Sequence, residues 1–329
     1  IRINAAFVQI TPPDSTGNCS LGIAVDVARQ AMEKASLVVG EINEGIPRTF
    51  GDTFVHISDF DMLVYADEPP FYFDRWPIDD IYDKVGYNTA TLIHDGSCIA
   101  FSIGPLYEAL SRHLIHKKHL GIHSPFITDA LMDLVLHGAV SNRYKGIHRG
   151  KSLVSYALGT KKLMTWLDQN PIIEFQGIDR VFDPVQIGRS PNFVAVLPAR
   201  KIDLYGRIAL QVGTGNVATG PAEVLNFFRG AEISKDGRTI FALPSRNNKG
   251  KPNIRLSVKA FPNQFGNRES IEYVVTEFGI ANLKGYTLRE RAQALIELVH
   301  PEERAHLIEQ ARKANIIYPE QMYLSESAS

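Results

Sequence analysis

The chain has 329 residues, and 35 Lys and Arg stand against 36 Asp and Glu for a formal net charge of −1. That length suits roughly two domains, and 44% hydrophobic with 22% charged residues is a globular composition. A near-neutral chain lacks the field that recruits nucleic acid or an anionic membrane, so neither is expected as its main partner. Residues 5–10 form a short apolar run that Thr11, Pro12 and Pro13 end, which predicts a first strand. Residues 25–35 have helical periodicity with Asp26, Arg29, Glu33 and Lys34 on one face. Strands are predicted at 37–42 and 54–57. Residues 68–80 are rich in Pro and aromatics without periodicity and predict an interdomain linker.

The alternation resumes beyond it, with helices predicted near 78–93, 105–116 and 127–137 and strands at 97–103 and 120–123. Further strands are predicted at 193–198, 208–212, 239–243, 254–258 and 273–276, and two amphipathic helices at 287–299 and 301–314. Strands separated by helices imply a layered α/β fold with mainly parallel sheets. The best apolar stretches, such as 131–140, which is broken by His137 and Gly138, fall short of the roughly 18 residues that span a bilayer. Cys19 and Cys98 form neither a disulfide framework nor a C-x-x-C pair, so a reducing, cytoplasmic compartment is expected. The chain opens at Ile1 rather than Met, as an excised piece of a longer protein would.

Few motifs carry chemistry by themselves. Gly213, Gly215 and Ala218 fit G-x-G-x-x-A after a predicted strand, a loop able to offer backbone N–H groups to a pyrophosphate. The following strand lacks the acidic residue that a dinucleotide site wants, so a glycine turn near a substrate competes with a nicotinamide site. His113, His116, His119 and His123 lie close in sequence, but Lys117 and Lys118 place like charge among them. A basic helix end is expected there, and no metal. Asp52, Asp129, Glu174, Glu223 and Glu277 lie near glycines or turns, where a carboxylate commonly caps or faces solvent.

Longer strings carry more. Residues 11–22 (TPPDSTGNCSLG), 47–56 (PRTFGDTFVH), 120–124 (LGIHS) and 275–285 (VTEFGIANLKG), with 288–292 (LRERA), His300 and Pro301, resemble in order the acetyl-CoA hydrolase/transferase family. That family includes the hydroxybutyrate and butyryl CoA-transferases. The resemblance implies two related open α/β domains, mainly parallel, with the active site in the cleft between them. It assigns 1–77 to the remainder of an N-terminal domain with its linker, 78–317 to a C-terminal domain and 318–329 to a tail or linker. It implies coenzyme A as substrate or ligand, acyl-CoA and small carboxylic acids as partners, a homo-oligomer, and in larger chains a linked acetyltransferase module.

The implied chemistry is covalent. A glutamate attacks the thioester carbonyl to give an anhydride, then a glutamyl-CoA thioester, while backbone N–H groups and an amide side chain hold the oxyanion. The resemblance puts that glutamate at Pro125, the amide at Ala100 and a glycine-rich loop at residues 220–223. Ser102, Ile103, Gly104, Gly213, Gly220 and Ala222 are then the implied CoA-binding positions. A CoA-thioester-binding domain with impaired chemistry is expected. The alternatives are an active hydrolase or transferase using Asp129, Glu174 or Glu223, and a nicotinamide oxidoreductase. The aromatic cluster at 71–76 is expected to be buried between subunits or against its own chain.

Overall fold

Short runs of β-branched residues become parallel strands wherever a helix can return the chain to the same sheet edge. The computed structural model describes residues 2–210, 222–261, 264–265 and 268–318. Near the start, Val38–Ile42 lies between Ala6–Ile10 and Met62–Tyr65, parallel to both. Helix Ala28–Lys34 forms part of the first crossover. Residues 54–57 were expected to extend this kind of layer. Phe54–His56 instead pairs antiparallel with Asn18–Ser20, and the edge place is taken by Met62–Tyr65, which the pattern did not announce.

The larger sheet has six strands, in the order Gly279–Asn282, Tyr273–Thr276, Arg238–Ala242, Phe193–Pro198, Cys98–Ala100 and Gly121–Ile122. Only Gly279–Asn282 runs against its neighbour; the other five are parallel. Phe193–Pro198, in the middle, is buried on both faces except at Pro198, as a continuous apolar run in a covered parallel sheet should be. Helices Asp80–Thr91, Pro105–Leu114, Ala222–Ile233 and Leu288–Glu297 pack around this sheet or on one another. Thr287 and Glu290 form a reciprocal capping box at the start of the last of these.

Smaller sheets join the two parts. Ser152–Val154, Ile173–Phe175 and Phe50–Gly51 form one parallel sheet, which takes Phe50 from the N-terminal part. Tyr156–Ala157 pairs parallel with Phe126–Ile127, and Ala24 bridges to Tyr156 from the other side. Lys201–Asp203 lies between Ile254–Arg255 and Ile208–Ala209, with Gln264–Phe265 outermost. One apolar core continues from Ile10 through Phe101 and Leu131 to Val275. A second gathers Phe193, Phe227, Phe228, Phe241 and Leu295. Residues 66–79 have neither helix nor strand.

Candidate functional site

In a parallel sheet every strand delivers its following loop to the same edge, and ligands collect there. Cys98–Ala100 runs into Phe101, Ser102, Ile103 and Gly104, where helix Pro105–Leu114 begins. Pro105 at the first helical position has no N–H to waste and a suitable φ. Gly104 precedes it at φ +119°, a conformation that glycine adopts without a Cβ penalty. It caps the helix without a side chain, so this end presents backbone N–H groups. Ile103 is exposed and Ser102 half-buried.

The adjacent strand, Gly121–Ile122, runs into His123, Ser124 and Pro125. The Ser124 hydroxyl accepts the Phe101 N–H at 3.0 Å and donates to the Phe101 carbonyl at 2.8 Å. One side chain therefore ties the two loops together. Pro125 is buried, and its carbonyl accepts the N–H groups of Ser155 and Tyr156 at 3.1 and 3.0 Å. Its ring nitrogen can donate nothing. The hydroxyls of Ser155 and Thr128 are buried with no hydrogen-bond partner among the described residues.

Two buried bases support these loops. His123 donates from Nε2 to the Val181 carbonyl at 2.8 Å and meets Phe193 and Phe227 edge-on. Burial pushes its pKa down to about 3, so it is neutral at physiological pH. The Lys145 ammonium donates at 2.7 Å to the carbonyls of Ile122 and Lys151, and burial pulls its pKa down to about 8.

The N-terminal part reaches the same place. The Ala157 N–H donates to the Ile23 carbonyl, and the Tyr156 hydroxyl donates to Asp26 Oδ1 at 2.6 Å. Tyr156 also stacks on Phe126. From the irregular segment, Arg75 donates through Nε to buried Glu108 Oε2 at 2.9 Å and through Nη1 to Asp133 Oδ2 at 2.6 Å. Desolvation pushes the Glu108 carboxyl up against the opposing pull of Arg75. Neither the Asp26–Tyr156 pair nor the Arg75 cluster had any signal in local spacing, because their partners lie 33 to 130 residues apart.

The carboxylates singled out from sequence are occupied with other work. Asp129 does not cap its own helix; Thr128 holds that position and makes no side-chain bond there. Both Asp129 oxygens instead hold Thr160, accepting its N–H at 2.9 Å and its hydroxyl at 2.6 Å. Thr160 is the N-cap of helix Lys161–Leu167. Gly159 is needed at this contact, since a Cβ would fall 2.1 Å from Asp129 Oδ2. Glu174 pairs with His148 Nδ1 at 3.0 Å and accepts from Gln176 at 2.9 Å. The hydrogen bond from His148 is the main reason its pKa falls to about 2. Its strand lies beyond Ser152–Val154, one strand removed from Ser124, whose N–H bonds the Leu153 carbonyl. Gly213 and Gly220, with the whole G-x-G-x-x-A loop, lie outside the described residues, as does the Glu223 side chain. Ala222 opens helix Ala222–Ile233.

The histidines do not converge: His113 meets Asp83, His119 meets Ser141, and His123 is buried in the core. Among the described residues no three His, Cys, Asp or Glu side chains group as metal ligands. No described helix is long and apolar enough to cross a membrane.

Residues 1–73 match the family model of the acetyl-CoA hydrolase/transferase N-terminal domain, and 159–311 that of the C-terminal domain. The 4-hydroxybutyrate coenzyme A transferase of Clostridium kluyveri is 38% identical over 315 residues, which is 95% of this chain and 73% of that protein. The chain belongs to the acetyl-CoA hydrolase/transferase family. The succinyl-CoA:acetate/propanoyl-CoA:succinate CoA transferase of Fasciola hepatica is 34% identical over 93% of this chain and 65% of its own length. In structure, the 4-hydroxybutyrate CoA-transferase of Porphyromonas gingivalis superposes with a TM-score of 0.85 at 33% identity, covering 95% of this chain and 76% of that one. RipA of Yersinia pestis superposes at 0.89 with 31% identity, over 96% and 71%. Of the family strings read from the sequence, 120–124 falls on the end of strand Gly121–Ile122 and its loop, and 288–292 on helix Leu288–Glu297. Ser102, Ile103, Gly104 and Pro125 come together at one sheet edge, whereas Asp129 and Glu174 are held by partners of their own.

Proposed function

We propose that this chain binds CoA thioesters at the carboxyl ends of Cys98–Ala100 and Gly121–Ile122, with the usual glutamyl-transfer chemistry impaired. The observation that carries the reading is Pro125, at the place where the family resemblance puts the attacking glutamate. It sits on a loop that Ser124 holds against Phe101 through two hydrogen bonds. A proline offers no nucleophile, and the apolar side chain of Ala100, where the resemblance puts the amide, offers no donor to an oxyanion. The involvement of Asp129 with Thr160 and of Glu174 with His148 supports the view that neither replaces the glutamate. Acyl-CoA and small carboxylic acids are the ligands this reading assigns. The exposed Phe71, beside half-buried Tyr72 and Trp76, offers an apolar patch to a second copy of the chain.

Intact mass after mixing with acetyl-CoA, with calorimetry in parallel, tests the reading. Binding near −4 to −8 kcal/mol is expected, corresponding to roughly millimolar to micromolar affinity, with no covalent adduct. Pro125→Glu with Ala100→Gln should form more adduct and exchange acetate faster than either single change, since one oxyanion donor contributes about 10²–10³ in rate. Robust turnover by the unaltered chain, with an adduct trapped on Asp129, Glu174 or Glu223, would sink the proposal in favour of an active transferase or hydrolase.

A further inference from the structure

Residues 66–79 cross from the N-terminal part to the C-terminal part without regular structure, and Pro69, Pro70 and Pro77 stiffen the crossing. From 59 to 83 there are eight Asp or Glu and a single Lys or Arg, Arg75. Asp74, Asp79 and Asp80 stand close to it in sequence, yet its guanidinium pairs with Glu108 and Asp133. Glu108 lies in the first turn of helix Pro105–Leu114, which follows the loop at 102–104. Asp133 lies one turn into helix Asp129–Leu136, which follows the loop at 123–128. One planar side chain thus holds the starts of the two helices that carry the site loops.

Glu108 is 3% exposed, and Asp129 and Asp133 add like charge beside it. A buried carboxylate in that company needs a cation, and a guanidinium can serve two acceptors at once where an ammonium is a point charge. The backbone completes the circuit. Two residues before Arg75, the Phe73 N–H donates to the Gly159 carbonyl at 2.9 Å. Gly159 adjoins Thr160, which both oxygens of Asp129 hold. Asp129 lies four residues beyond Pro125 and opens the helix that bears Asp133. At its other end the crossing is fastened just past strand Val38–Ile42. There Asn43 Nδ2 donates to the Glu68 carbonyl at 3.0 Å, and Pro70 packs on Gly45, where a Cβ would fall 2.5 Å from its ring. The segment is a strap, tied to the N-terminal sheet at one end and to both helix starts at the other.

We infer that Arg75 is a positioning residue: by joining Glu108 to Asp133 it sets the spacing between the loops at 102–104 and 123–128, and so the shape of the acyl-CoA site between them. This rests on the CoA-thioester reading above. Arg75 acts through the two helices rather than on the ligand.

Hydrogen exchange read by mass spectrometry and acetyl-CoA calorimetry, both on the full chain, test it with two variants. Arg75→Lys keeps the charge and loses the two-way fork. Arg75→Met with Glu108→Gln breaks the tie without leaving a buried carboxylate unpaired, so its urea midpoint should stay near that of the unaltered chain. In both variants the amides of 102–110 and 123–135 should exchange several-fold faster, while those of 193–198 and 238–242 do not change. Acetyl-CoA should bind both about tenfold more weakly. Arg29→Met, which breaks the Arg29–Asp52 pair in the N-terminal part, should alter neither readout. Unchanged exchange in both variants overturns the tie. Faster exchange with unchanged affinity makes Arg75 a structural contact only and overturns its positioning role, as does full recovery of both readouts by Lys. If acetyl-CoA does not bind the unaltered chain, the CoA reading falls, and exchange alone then decides whether Arg75 sets the loops.

Discussion

The N-terminal three-stranded sheet and the six-stranded sheet are both mainly parallel and differ in cover. In the large sheet Phe193–Pro198 has five consecutive buried residues, with strands on each side and helices over it. In the small sheet all four residues of Met62–Tyr65 are exposed, and Phe7 is 76% exposed. Strand pairing alone did not bury these side chains; a second layer is what removes apolar surface from water. The same contrast fits the proposed place of the site. Loops leaving the sealed sheet stand on a rigid base and converge, whereas those leaving the small sheet lead into turns and the irregular segment 66–79.

Truncation should separate the two sheets most sharply. Phe241, fully buried and packed on Phe228 at 4.8 Å between ring centroids, should lose about 3–5 kcal/mol when changed to Ala. Met62→Ala, on the exposed edge, should change stability by less than about 0.5 kcal/mol. Urea unfolding checks both, and equal losses would mean that the small sheet is covered in solution.

Next in size is Lys145→Met. It keeps the buried stem but leaves the Ile122 and Lys151 carbonyls without their donor, so a loss of roughly 2–3 kcal/mol is expected at neutral pH. Because burial lowers the Lys145 pKa to about 8, below its unfolded value, the native state gains stability as pH rises from about 8 toward 10. The variant should lack that rise.

His123 gives a similar effect at the acid end. Its folded pKa of about 3 lies below the unfolded value near 6.5, so the unfolded chain takes up the proton first. Stability is thus unaffected above about pH 6.5 and is lost as pH falls toward 3, by up to about 1.4 kcal/mol per pH unit. His123→Gln should remove that part of the slope. Identical pH profiles for the variant and the unaltered chain would count against the buried neutral imidazole.

A further effect is expected at the proposed site itself. Ser124→Ala removes two hydrogen bonds to Phe101 and should destabilise by about 1–3 kcal/mol at most. Its more sensitive readout is acetyl-CoA affinity, which should fall if the loop at 102–104 loses its register against Pro125.

Local pattern determined a good part of this molecule. The apolar runs at 6–10, 38–42, 193–198 and 273–276 read as strands and fold as strands, and Pro105 and the Thr287 box mark helix starts directly. Family strings located the loops at 102–104 and 123–125 because a whole motif survives even where Pro125 and Ala100 depart from it. Nothing local announced Ser152–Val154 or Ile173–Phe175, three residues each, whose pairing with one another and with Phe50 supplies their stability. Tertiary structure alone decided which charges have partners. Asp129 reads as a helix cap and becomes the anchor of Thr160, Arg75 reads as linker and joins two helices, and Lys201, outside every predicted element, ends buried near other cations. Secondary structure follows from periodicity over a few residues, but the energy of a charge depends on what the fold brings within a few ångströms of it.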